Sequence, residues 1–153
     1  MGRLQTMQTP LRSVLAVITG CVVAFVVVAL VESWGHWVYP LPRDLDFTQP
    51  ERVAEFIQTL PAGAFGFVLA AWFLGTLVGG VTAALMTRRR PFVTTGIVAG
   101  VVLLATAANL LLIPHPLWFA VTGISGIFVA WLLAGALTYC WSGRATTFQN
   151  PAV

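Results

Sequence analysis

Four runs of the sequence, residues 13–31, 62–87, 92–113 and 116–141, contain no charged side chain. Each is long enough as a helix to cross a hydrocarbon core of about 30 Å, which takes around 20 residues. Without water, a spanning backbone must satisfy its own hydrogen bonds, and helices do this within one segment. The β-branched crowding of the first run, SVLAVITGCVVAFVVVALV, therefore does not prevent a helix in lipid. Only 8% of the 153 residues are charged, against roughly 25% in a soluble domain. Such a surface cannot be kept in water, which excludes a soluble enzyme, a disordered regulator and a free nucleic-acid binder. The expected fold class is all-α integral membrane. It is a single membrane domain over 1–153, a four-transmembrane-helix bundle with a short amphipathic interfacial helix in the outer loop. The first run exceeds the usual length of a signal-peptide core and no small-x-small site follows it, so it reads as an uncleaved anchor.

Arginine placement predicts the orientation. Arg3, Arg12, Arg88, Arg89, Arg90 and Arg144 fall on one side of the four spans, and Arg43 and Arg52 on the other. The side with six is expected to be cytoplasmic, which places both termini there. Glu32, Asp44, Asp46, Glu51 and Glu55 lie on the opposite side or at its membrane edge. The net charge of +3 is thus a topology signal and not a nucleic-acid footprint. Arg88, Arg89 and Arg90 are positioned to lock that topology or to meet anionic lipid headgroups.

Small residues recur at four-residue spacing: Gly75 and Gly79 continuing to Ala83, Gly96 and Gly100, and Gly126, Ala130 and Ala134. Membrane helices pack by close backbone approach at such residues, either within a bundle or against a partner chain. The outer loop, 38–61, carries the sequence T-Q-P-E at 48–51. This predicts a capping box from Thr48 to Glu51, with a helix over 49–60 ended by Pro61. Val53, Phe56, Ile57 and Leu60 form its apolar face, expected to lie down on the membrane interface or, alternatively, to cover the outer mouth of the bundle.

Ionisable groups at membrane depth are functional candidates. Glu32 and His36 are one helical turn apart, and Asn109 and His115 belong to the same outer rim, at the level of Trp34, Trp37, Tyr39 and Trp118. Two imidazoles and a carboxylate are chemically competent for a divalent metal, a proton relay or a polar headgroup. The bland alternative pairs Glu32 with His36 or Arg43, lets His115 cap its hairpin, and assigns the tryptophans to an interfacial belt. No cofactor is expected beyond that possible rim metal. Cys21 and Cys140 lack metal or redox spacing and read as small hydrophobes. No phosphate-binding loop, nucleophile elbow or H-E-x-x-H motif occurs, and no charge lies at mid-bilayer.

The segments ESWGHWVYPLP, LPAGAFGFVLAAWFLGTLVGGVTAALMTRRRP and NLLLIPHPLWF resemble small four-span bacterial inner-membrane proteins of uncharacterised function. The resemblance covers about 13–140, implies a bacterial inner membrane, and brings no site residues. The expected function is a non-catalytic accessory or structural subunit, with the lipid bilayer and other membrane subunits or a homo-oligomer as partners. The alternative is a small transporter or a metal- or proton-handling protein using Glu32, His36 and His115.

Overall fold

The computed structural model describes residues 2–40, 42, 48–87, 90–113 and 115–147, with side-chain environments for all of these except 2–10, 50 and 142–147. Five helices follow in order: α1 (Gly2–Val38), α2 (Pro50–Thr59), α3 (Ala62–Thr87), α4 (Pro91–Leu112) and α5 (Leu117–Thr147). Four of them, α1, α3, α4 and α5, are long and apolar enough to cross a membrane. No strand occurs among the described residues. The chain is an all-α, multi-pass membrane bundle.

The ends of the helices follow local chemistry. The first span continues past the expected 31 to Val38, because Ser33 to Val38 include no breaker strong enough to stop it and Tyr39 N–H still bonds Gly35 O at 2.7 Å. Pro40 then disfavours helical geometry in the residue before it. Pro91 opens α4 at a position where a missing N–H costs nothing. Arg90, its N-cap, sits in the left-handed region at φ 45°, ψ 61°. At α2 the cap is Gln49 and not Thr48: Val53 N–H bonds Gln49 O at 3.2 Å, and the Gln49 side chain makes no cap bond. The helix therefore starts one residue later than the T-Q-P-E pattern predicts, with Pro50 in its first turn.

Helix α3 is the hub, touching α1, α4 and α5, while α4 also touches α1 and α5. Helices α1 and α5 stand at opposite corners. The α1–α3 contact is a meeting of two small-residue stripes. Ala16, Gly20 and Ala24 of α1 are buried against Gly75, Gly79 and Ala83 of α3. A Cβ at Gly79 would collide with Gly20 O, and one at Gly75 would lie 2.9 Å from Ala24 O. At this approach no side chain fits, and backbone meets backbone.

The α4–α5 contact differs. Ala130 and Ala134 are fully buried, Ala134 against Gly80 of α3, while on the α4 side Gly96 faces the Trp131 indole. Trp131 Nε1–H reaches across to donate to Phe92 O at 3.0 Å. The large ring stands in the cleft beside Gly100, and neither Gly100 nor Gly126 has anything within 4 Å of a would-be Cβ. Gly100 opens instead on a cleft lined by Leu103, Ile127 and Phe128. Those two glycines do not pack helices inside this chain.

The two ends of the bundle carry different chemistry. At one, Arg12 Nε–H donates to Met86 O at 3.0 Å, and Arg90 turns the chain into α4. Arg88 and Arg89 lie outside the described residues. At the other end lies α2.

Candidate functional site

Helix α2 is built to cover something. Its Val53 and Ile57, one turn apart, are 8% and 9% exposed, while Glu51, Arg52 and Glu55 occupy the other side. Yet its Cα atoms stay more than 8 Å from those of the four long helices. Side chains bridge the gap, and a cavity of about 360 Å³ lies beneath. The amphipathic helix thus covers the mouth of the bundle, with Val53 and Ile57 of its apolar face turned to the cavity and the core.

Every polar residue singled out at the rim reaches this cavity. Glu32 and His36 come from α1, Asn109 from the last turns of α4, and His115 from the α4–α5 connection. The end of α1 and the α4–α5 turn are far apart in sequence; the α3 hub brings them to one place. Tyr39, Phe56, Phe65, Phe67 and Phe119 supply aromatic wall. Trp34 and Trp37 point outward, the latter 82% exposed, as residues of an interfacial belt do.

His115 is held on two sides. Its ring stacks on Phe119 with centroids 4.8 Å apart and planes 13° apart, and Nδ1 lies 2.7 Å from Ile113 O. A carbonyl oxygen only accepts, so Nδ1 carries the hydrogen and Nε2 is the acceptor of the neutral ring. Phe65 completes the cluster, 5.3 Å from Phe119 and edge-on to His115. His115 does close its own hairpin, as the bland reading expects. Glu32 makes no hydrogen bond or ion pair within 4 Å among the described residues, but the His36 imidazole one turn on acts on its carboxyl electrostatically. Arg43, its other suggested partner, lies outside the described residues.

Two buried polar atoms close to this end are unsatisfied, Asn109 Oδ1 and Thr106 Oγ1. Thr106 is 2% exposed, one turn from Asn109 toward the bundle interior. Other buried threonines bond back to the preceding turn, Thr76 to Trp72 O at 2.7 Å and Thr138 to Ala134 O at 2.7 Å, which is how a hydroxyl is accommodated in an apolar helix. An unmade bond at a buried group costs about 1–3 kcal/mol. Asn109 is among the residues lining the cavity, and Thr106 lies one turn deeper, behind it.

The metal arrangement finds no support in the geometry. Glu32, His36 and His115 share the cavity, but no three His, Cys, Asp or Glu among the described residues form a group able to hold one ion. Sequence reasoning named Val53 and Ile57 as cover only as an alternative, and missed Thr106 and the wall of Phe65 and Phe119. The four-residue spacing of His115 and Phe119 was the available signal for their stacking.

No family model, curated protein or solved structure matches the chain.

Proposed function

We propose that the chain is a non-catalytic binding protein of a bacterial inner membrane, holding a small ligand in the cavity under α2. One observation carries this reading: the rim groups expected from the sequence open into a single covered cavity of about 360 Å³, within the range of about 300–1,000 Å³ common for small-ligand sites. Aromatic walls and a few polar groups with no protein partner are what such a site needs. The arginine bias supports a cytoplasmic position for both termini, which turns α2 and the cavity toward the periplasm. A thermal-unfolding screen of the detergent-solubilised protein against neutral, cationic and anionic small molecules tests the reading. At least one class is expected to raise the midpoint for the wild type and not for Ala64→Phe, which fills the cavity. If no compound of any class does so, the reading falls.

A second reading is favoured by a different observation. Gly100 and Gly126 expose small-residue surface that nothing in this chain covers, as an accessory subunit docking a partner helix or a second copy would. Cross-linking in native membranes from Gly100→Cys is expected to trap a neighbouring chain; recovery of monomer alone would remove this reading.

A further inference from the structure

Resting on the cavity reading above, we infer that the ligand is an organic ammonium ion, a protonated amine carried on a small apolar body. Only one formal charge faces the cavity from the described residues, and it is negative. Glu32 makes no hydrogen bond or ion pair within 4 Å among them; the imidazole of His36, one turn on and lining the same cavity, is the group that acts on it electrostatically, the chain has no lysine, and Arg52 on α2 is exposed and does not line the space. A carboxylate in this setting is satisfied by a charged N–H donor, whose hydrogen bonds are shorter and stronger than neutral ones.

The remaining polar atoms agree in sign. Asn109 Oδ1 is a buried acceptor with no donor. The His115 Nδ1–H is committed to Ile113 O, so in its neutral form the ring offers the cavity only an acceptor nitrogen. An anion would be repelled by the Glu32 carboxylate. The walls complete the match: Phe65, Phe67 and Phe119 present rings around the same space, and aromatic faces attract a cation while shedding water from its apolar body. Two sources fit this chemistry, a free lipophilic amine or the ammonium of an ethanolamine lipid headgroup.

The experiment uses the full chain in an uncharged maltoside detergent and three matched probes: 2-phenylethylammonium, 2-phenylethanol and phenylacetate. The ammonium is expected to bind about tenfold tighter than the alcohol, the margin of a charge-assisted hydrogen bond over a neutral one, with phenylacetate weakest. Glu32→Gln, nearly isosteric, should erase the preference. Phe67→Leu, which keeps the wall apolar, should weaken the ammonium about threefold and leave the alcohol unchanged, in line with loss of one cation–π contact. Adding phosphatidylethanolamine, but not phosphatidylglycerol, will compete with the probe if the lipid headgroup is the natural source; absence of competition assigns the site to a free amine. Equal binding of the alcohol, or a preference that survives Glu32→Gln, overturns the ammonium inference and leaves the cavity reading standing. Failure of all three probes together with the wider screen removes both.

Discussion

Two backbone and side-chain positions in this chain sit against local preference, and each makes a measurable statement. Thr106 is buried with a hydroxyl that bonds nothing, where Thr76 and Thr138 bond the turn before them. Removing the hydroxyl while keeping a β-branched shape should relieve the cost, so Thr106→Val is expected to stabilise the protein by about 1 kcal/mol, read as a raised unfolding midpoint in detergent. Arg90 holds φ 45°, a conformation that costs a side-chain-bearing residue about 1–3 kcal/mol and glycine little. Arg90→Gly should therefore leave the bundle as stable as the wild type or more so, by the same measurement. A marked loss would mean that the arginine side chain, and not the turn, is what the position requires.

At the scale of the helix, what could be foreseen depended on whether a signal was local. The four spans were legible because uncharged length suffices, and α3 covers the predicted 62–87 residue for residue. The small-residue stripes were half legible. Gly75 and Gly79 meet α1, but their counterpart, Ala16–Gly20–Ala24, has the same four-residue spacing and went unread. Gly100 shares that spacing and stays open beside the bulk of Trp131 on the facing helix α5, and Gly126, on α5 itself, also has nothing against it. Spacing alone identifies a face that permits close approach; the residue opposite determines whether approach happens. Gly79→Leu is accordingly expected to separate α1 from α3 and lower stability by several kcal/mol, an overpacking penalty at the upper end of about 1–3 kcal/mol or beyond it, whereas Gly126→Leu should leave the isolated protein folded. Helix α2 gives a matching test. Its apolar face holds it in place through Val53 and Ile57, so Ile57→Ser should cost about 2 kcal/mol of docking and speed amide exchange across α2 without unfolding the spans. Unchanged exchange would show that α2 is held by its connections and not by its face.

On the scale of the whole molecule, the sequence placed the polar rim at one depth but not in one spot. Depth follows from counting residues along each span; lateral position depends on which helices touch, and no pattern in α1 or α4 announces that α3 stands between α1 and α5. The convergence of Glu32, Asn109 and His115 was beyond sequence reading for that reason. Orientation remains a matter of charge placement and has its own measurement. A phosphatase reporter that is active only in the periplasm should be silent when fused after Gly143 and active when inserted in the loop before Pro50. The reverse pattern would turn the cavity toward the cytoplasm.

The small-residue seam between α1 and α3 also bears on how the chain is assembled. Its two halves are separated by the loop and α2, so α1 emerges from synthesis long before its partner exists. It is the most apolar of the spans, with mean hydropathy 3.1 against 1.9 for α3, and the least enclosed by the finished bundle. Such a helix can enter lipid alone and wait there. Helix α3 differs: it is glycine-rich, less apolar than α1 over its span, and packed against α1, α4 and α5. Its residence in the membrane relies on the neighbour that arrived first, so damage to α1 should appear as failed insertion of α3.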